Sequence, residues 1–518
     1  MDLKINREML PVTEVILDEM QEQSVELDYV LPDYDPDIFR MIGCEIQPAI
    51  VNSTIGTDRI TYELRADIRV LYCGSGSTIL QCVTQQMNFT RSIELPRPAD
   101  EPEVTLRPRT TYANCRAVSP RRLEVRGAVS IAIRVTGDRK QEVIQDVFGM
   151  HVQLHRKPVE YAAQKRRAVK HILLNEDVEL GASKPPIRSI IRSSVRLGHE
   201  EQSILAGKLV AKGEAEVQFL YTWQQEDGSS GMEQMQFIVP YSQIVDMTQI
   251  DDTYRGSVDT RVVRCDLKPC PGKDGSLDSV QCEIELCLHC TAVKTASIQL
   301  VTDAFSTIYP CEQETVSIQI DTAPQPIRAA MPCSASLQPG DTAPECIYDL
   351  HCQVRNINMQ LLSDTNRIRV SGMLCCSLLA GDAEGMPMLL EKEEAFEVYT
   401  NSDIPVDNAV LQAEVTPTDC TYHLAPDGRI TIQATLLLQG CLCPSDRYVC
   451  LSALTVDSET KLVRDGDYAL KLYYGVEHED VWDIAKRCRT SVHAIMEENE
   501  LTDEQLTTPG MLFIPIVQ

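Results

Sequence analysis

The chain has 518 residues, 43% of them hydrophobic and 24% charged, and its formal net charge is −28. That length exceeds a single hydrophobic core and sets a prior of roughly three to five domains, while the composition is that of a folded chain, not a disordered one. So acidic a protein repels nucleic acid and anionic lipid, which leaves a partner with a basic patch as the better fit.

The N-terminal segment, Met1 to Met20, is punctuated by Asp and Glu and lacks an uninterrupted apolar run, so it does not read as a secretory signal. No stretch approaches the apolar length of a membrane span. The expectation is a soluble protein made in the cytosol and not secreted. The 20 cysteines then read as free thiols acting as small buried hydrophobes, with later oxidative cross-linking as the competing reading.

Taken in chain order, the first clear element runs from Arg59 to Tyr72. Ile60, Tyr62, Leu64, Ala66, Ile68, Val70 and Tyr72 face one way and Thr61, Glu63, Arg65, Asp67 and Arg69 the other. Such period-two alternation predicts a long antiparallel strand with one buried face. The same pattern recurs at Lys208–Tyr221 and Arg367–Ala380, at offsets of 149 (221 − 72) and 159 (380 − 221) residues, the mark of an internal repeat. Each repeat carries a second alternating run, at Leu123–Val135, Val280–Val293 and Ile430–Cys443.

Asp227-Gly228, Asp274-Gly275 and Asp427-Gly428 offer the positive-φ residues of tight hairpins. The proline-rich stretches Pro96–Pro108 and Ala323–Pro332 read as crossings between sheets. A basic, helix-compatible segment, Arg156–Lys170, reads either as a dock for an acidic partner or as a solvated linker face. The predicted fold is mainly β. Three tandem sandwich-like units span residues 1–155, 156–309 and 310–460, the third the most divergent, and a small βααβ module occupies residues 468–518.

In that tail, Leu470-Leu472-Tyr474 predicts a strand and Val481-Trp482-Ile484-Ala485 a helix with Asp480 at its N-cap. Val492–Glu498 predicts a second helix, capped by Thr490 or Ser491, with Asn499 left-handed at its end. Pro509-Gly510 turns the chain into a closing strand, Met511–Ile514.

Motifs of reactive chemistry are weak. Asp33, Asp35 and Asp37 have the spacing of the first calcium ligands of an EF-hand, but position six is Ile38, position twelve is Cys44 and Pro36 interrupts the run, so a turn is expected. Cys287-Leu288-His289-Cys290, with Cys265 and Cys270 upstream, offers four thiols, but a strand points Cys287 and Cys290 to opposite faces. Cys441 and Cys443 share a strand face and read as packing. No nucleophile constellation or phosphate-binding loop occurs. Neither enzyme activity, a cofactor nor a metal is expected.

Two stretches resemble known families. The tail is similar to a LysM domain through Tyr473-Tyr474, Trp482-Asp483-Ile484-Ala485, Ser491-Val492-His493-Ala494-Ile495, Asn499-Glu500-Leu501 and Pro509-Gly510-Met511-Leu512-Phe513-Ile514-Pro515. Most LysM modules have Gly-Asp-Thr where this chain has His478-Glu479-Asp480. The body resembles SPOCS domains of sporulating Firmicutes through Leu31-Pro32-Asp33-Tyr34-Asp35-Pro36-Asp37-Ile38, Val70-Leu71-Tyr72, Lys212-Gly213-Glu214 and Phe219-Leu220-Tyr221. SPOCS repeats followed by a LysM domain are the layout of the SipL-like family of spore coat morphogenetic proteins.

The resemblance implies a scaffold of the mother-cell cytoplasm and forespore surface that binds a stage IV sporulation protein A-like coat ATPase, and possible contact with other coat proteins, without membrane insertion. It assigns the groove of the module to His478, Glu479, Asp480, Trp482, Asn499, Glu500 and Leu501. The alternative it carries is a carbohydrate-binding protein gripping peptidoglycan or spore cortex through the same groove. Trp482 reads either as a glycan-stacking aromatic or as part of the module core, and the acidic lips, Glu479, Asp480, Glu497, Glu498 and Glu500, favour a basic protein surface over a neutral sugar.

Overall fold

The computed structural model describes residues 3–515, apart from 76–78, 99–101, 182, 226–228, 273–274, 340–343, 427 and 464–469. The six alternating runs each become the central strand of a sheet. In the first third of the chain the strands are β1 (Lys4–Val30), β2 (Ile38–Ile55), β3 (Arg59–Gly74), β4 (Leu80–Glu94), β5 (Glu103–Ser119) and β6 (Arg122–Phe148). They form two antiparallel sheets, β1-β6-β5 and β2-β3-β4. Ile60, Leu64 and Ile68 of β3 meet Val125, Val129 and Ile133 of β6 in one core; full burial of a side chain of this size is worth about 1.5–3 kcal/mol.

The next strands are β7 (Val152–Glu179), β8 (Ser189–Leu197), β9 (Glu201–Leu205), β10 (Lys208–Gln224), β11 (Ser230–Asp246), β12 (Arg255–Cys270) and β13 (Ser279–Ser306). Their sheets are β12-β13-β7 and β11-β10-β8, with β9 also paired to β10. Then come β14 (Cys311–Asp321), β15 (Gln325–Leu337), β16 (Cys346–Leu362), β17 (Arg367–Gly381), β18 (Pro387–Asn401), β19 (Ala409–Leu424) and β20 (Ile430–Val456). Here β20 pairs with β14, β15 and β19, and β16-β17-β18 form the second sheet. Each third therefore follows a related scheme: the first strand pairs with the last, the last with the one before it, and middle strands form a second sheet, while in the final third β15 also pairs with the last strand. All are mainly-β elements; among the described residues the two helices lie in the tail.

Several sequence expectations change. Arg156–Lys170 is not helical but lies inside β7, against β13. Its cations are taken up within the protein: Lys165 lies 3.8 Å from Asp138 and 3.6 Å from Asp321, and Arg167 lies 2.9 Å from Glu103. Ala323–Pro332 is mostly strand, since Pro326 and Pro332 sit in β15 and only Thr322-Ala323-Pro324 interrupts the chain between β14 and β15; a proline is tolerated where its missing N–H faces away from the ladder. Glu103–Pro108 likewise belongs to β5. Gly275 and Gly428 take the expected positive φ, 85° and 80°, whereas Asp227-Gly228 falls outside the described residues. The Asp33–Asp37 run is a turn clamped by one guanidinium: Arg121 donates to the carbonyls of Leu31, Pro32 and Asp35 and, at 2.7 Å, to Asp37 Oδ1.

The three parts of the body meet in one apolar cluster, and a β-bulge positions each contribution. The registers of β2 on β3, β8 on β10 and β16 on β17 slip at Ile42, Ile191 and Tyr348. A bulge re-aims the extra side chain. Here the three converge on Leu71, Leu220 and Leu379, the same ladder position in each repeat, in one apolar cluster.

Beside this cluster lies an ion network drawn from all three parts. Arg192 Nη1 donates to Asp349 Oδ2 at 2.7 Å, and its Nε lies 3.6 Å from Glu45 Oε2. Arg69 is 3.9 Å and His351 3.6 Å from the same carboxylate. Burial works against the Glu45 charge, yet His351, Arg192 and Arg69 outweigh it and hold the carboxyl down to about 2. Burial also pushes the His351 imidazole below its ordinary range. Elsewhere the long paired arms β1/β6, β7/β13 and β14/β20 run beyond their sandwiches and pack together through Leu10, Val143, Val159, Leu300, Ile320 and Cys450.

Removing the central cation leaves the buried Asp349 carboxylate without its ion-pair partner and Glu45 with only Arg69 and His351. Arg192→Met is expected to lower the unfolding free energy by about 3–5 kcal/mol, read by urea denaturation; exposed Arg116→Met is expected to change it by less than about 0.5 kcal/mol. The network also sets an acid limit. Because the Glu45 carboxyl titrates lower folded than unfolded, its stabilisation is present above its ordinary value of 4.5 and is lost as pH falls towards about 2. Glu45→Gln should flatten the stability profile in that window; an unchanged acid profile would refute the assignment.

Candidate functional site

The tail folds as β21 (Leu470–Gly475), α1 (Val481–Cys488), α2 (Val492–Glu498) and β22 (Gly510–Pro515), with β21 antiparallel to β22. Asp480 caps α1 by accepting from the Trp482 N–H at 2.8 Å, and Ser491, not Thr490, caps α2 by accepting from the Ala494 N–H. Thr490 instead donates its hydroxyl to the Pro515 carbonyl. Helix α1 ends on Arg489 in the left-handed region; after α2 the left-handed residue is Glu500 (φ 53°), not Asn499. Val481, Ile484, Ile495, Leu512 and Ile514 form the module core.

Most of the seven groove residues expected from sequence have duties internal to the fold. Glu479 accepts from the Tyr473 hydroxyl at 2.6 Å and from the Val476 N–H, and lies 3.4 Å from Arg487. Burial opposes its charge, but Tyr473, the Val476 amide and Arg487 prevail and hold the carboxyl below its ordinary range. Asn499 bridges α2 to β22: its amide donates to the Ile495 and Phe513 carbonyls and its oxygen accepts from the Phe513 N–H. Leu501 packs on the core. The backbone also ties the lip at 478–481 to the segment 504–506, through His478 N–H to Leu506 O, Leu506 N–H to Glu479 O and Val481 N–H to Glu504 O. His478 and Glu500 both take positive φ, and the His478 ring lies 3.7 Å from the Glu477 carboxylate.

Trp482 is the largest departure. It is 5% exposed and faces the β-body instead of a groove. Its ring stacks on His155 at 4.9 Å and meets Phe305 edge-on at 5.0 Å. Its indole N–H donates to Asp303 Oδ2 at 2.8 Å, and Lys486 Nζ donates to both Asp303 oxygens at 2.8 and 2.6 Å. Burial disfavours the Asp303 charge, but Lys486, Trp482 and Gln313 more than offset it and hold the carboxyl below its usual range. The module is thus seated on the end of the β7/β13 arm. Asp303, His155 and Phe305 were not legible as functional from the sequence; each is an isolated residue in a long strand.

The outer face of the module is different. Leu472 pairs across with Phe513 and Tyr474 with Met511, and all four are exposed, from 44% to 61%. The inward set, Leu512 and Ile514, packs on the helices, so alternation leaves the other face without a cover.

All twenty cysteines carry free thiols, Cys488 in the tail and the others in the body. Cys290 lies in the core of its sandwich, while Cys287 turns the other way, with its Sγ 3.5 Å from His171 Nε2 and 3.5 Å from His289 Nε2. Among the described residues no group of three or more His, Cys, Asp or Glu is arranged to hold a metal ion, and no helix is long and apolar enough to cross a membrane. Comparison with known proteins gives no match to a family model, a curated protein or a solved structure.

The seat of the module is testable through its own fluorophore, because the chain has only two tryptophans. In a Trp223→Phe background, Asp303→Ala is expected to red-shift Trp482 emission, and to weaken docking by about 1.5–3 kcal/mol for the charged hydrogen bonds lost. Unchanged emission would show that the seat does not depend on Asp303.

Proposed function

We propose that this chain is a non-enzymatic scaffold of spore coat morphogenesis, in which the C-terminal LysM-like module captures a stage IV sporulation protein A-like coat ATPase and the SPOCS-like β-body holds it at the forespore surface, on the mother-cell side. The reading rests on the resemblance of the motifs. The observation that favours protein docking over glycan binding is the uncovered apolar face of Leu472, Tyr474, Met511 and Phe513. Interface cores are built from apolar and aromatic side chains of this kind. A sugar groove needs free polar lips and a stacking aromatic, whereas Glu479, Asp480 and Asn499 are engaged within the module and Trp482 is turned to the body.

The test is a pull-down of the purified ATPase by the full chain. Leu472→Glu with Phe513→Glu is expected to weaken capture about tenfold or more, as loss of a buried apolar centre does, with the tail fold checked by the Trp482 emission. Retained capture would remove this face from the contact. Saturable co-sedimentation with purified murein, undiminished by the double change, would support the carbohydrate-binding alternative instead.

A further inference from the structure

One ladder position is filled by the same kind of pair in two repeats and by a different one in the third. Counted back from Leu71, Leu220 and Leu379, it holds Ile46 opposite Ile68 in the first part and Val195 opposite Val217 in the middle one. In the third part it holds Cys352 opposite Cys376. Ile68, Val217 and Cys376 each pack in the core of their own sandwich. Branched aliphatic side chains serve the packing at this position, and two thiols replace them together.

The two sulfurs are close. Cys352 is 7% and Cys376 2% exposed, and Cys352 Sγ donates to Cys376 Sγ at 3.7 Å. Residues directly opposite in an antiparallel ladder have Cα atoms about 4.5–5.5 Å apart, within the roughly 4.4–6.8 Å that a disulfide spans. The backbone is thus already placed for a bond, and turning the two side chains closes the gap between the sulfurs.

A third thiol reaches the pair from the facing sheet. The register of β19 on β20 slips between Thr418 and Thr421, with Asp419 at φ 49°. Cys420 lies in this bulge, packs on the same core as Cys352 and Cys376, and is only half-buried. Hydrogen bonding with Cys352 holds the Cys376 and Cys420 thiols below their ordinary range, against the effect of burial. The same two contacts, and after them burial, push the Cys352 thiol up. Of the three, Cys420 combines access to solvent with thiolate character, the two requirements of a reactive thiol.

We propose that Cys352 and Cys376 form a reversible disulfide, and that Cys420 is the thiol through which an oxidant of the peroxide class reaches them. Peroxide passes one oxygen to the Cys420 thiolate, giving a sulfenic acid and hydroxide. Cys352 attacks that sulfur and water leaves, which joins Cys352 to Cys420 across the sandwich. Cys376 then attacks the Cys352 sulfur and displaces Cys420, which regains a proton. In balance, two thiols lose two electrons and two protons, and hydrogen peroxide becomes two waters. The final bond fastens β16 to β17 beside Asp349 and Leu379, which face each other on the same two strands. These residues carry the third part's contacts with the other two, so the disulfide is a covalent lock on that junction.

The full chain is treated with hydrogen peroxide, capped with N-ethylmaleimide in denaturant and mapped by mass spectrometry without reduction. A Cys352–Cys376 bond is expected, reversed by dithiothreitol. Cys420→Ser is expected to slow its formation about tenfold or more, because the remaining thiols of the site are buried from the oxidant. Cys376→Ser is expected to stop the sequence at a Cys352–Cys420 bond. Cys375→Ser, whose thiol points outward to Glu393, should leave rate and product as they were. Circular dichroism before capping checks the fold; should Cys376→Ser unfold, Cys420→Ala at its half-buried position carries the test of the sequence. Absence of the Cys352–Cys376 bond in the folded wild-type chain, or pairing spread at random over the other thiols, would overturn the proposal. An unchanged rate in the Cys420 variants would overturn the entry role.

Discussion

The arrangement of the body depends on a cation buried between two anions that belong to different parts of the chain. Arg192 is contributed by β8, Asp349 by β16 and Glu45 by β2. Taking these groups out of water is costly, and a buried ion pair seldom adds net stability over apolar packing. Its contribution is discrimination. Gly43, Arg192 and Asp349 occupy the same ladder position in the three repeats, facing Leu71, Leu220 and Leu379. Three copies of one residue there would make the parts interchangeable, or would repel. A glycine, an arginine and an aspartate cannot be permuted without burying an unpaired charge, so the network favours one arrangement of the parts.

The second constraint is the exposed edge that every open sheet presents. In this body the edges of β5, β12 and β19 face the shared interior, and arginines from neighbouring parts cap their carbonyls. Arg261 donates to Leu106 O at 2.9 Å, Arg107 to Ala413 O at 2.6 Å and Arg65 to Val263 O at 2.6 Å. The same side chains that protect the edges tie the parts together, so these arginines have a structural role.

Much of the fold was legible in the chain because period-two alternation is a local signal. Ile60 to Tyr72 and its two echoes report burial of one face whatever lies beyond it. Contacts between repeats have no such signature. Ile42, Ile191 and Tyr348 look unremarkable in sequence; the bulge that turns them inward depends on the register of a partner strand. The basic run Arg156–Lys170 reads as helix-compatible because its Ala, Gln, Lys and Arg favour helix locally, while a ladder with β13 overrides that propensity. In the tail, capping chemistry placed both helices, but the partners of Glu479, Asn499 and Trp482 are non-local, so side chains that suggested a groove turn out to hold the module together or to hold it to the body.

The seat of the tail has a mechanical consequence. Trp482 and Lys486 grip Asp303 near the end of β13, and β13 runs antiparallel to β7 from Ser279–Glu179 to Ser306–Val152. A pull on the module along that arm loads this ladder lengthwise, so its hydrogen bonds resist together in shear instead of opening one at a time from an end. The load enters the middle repeat and spreads through the apolar packing of the arms to the other two. The tail module is therefore anchored where the arms pack together, and a tether attached there strains all three repeats at once instead of peeling the nearest one away.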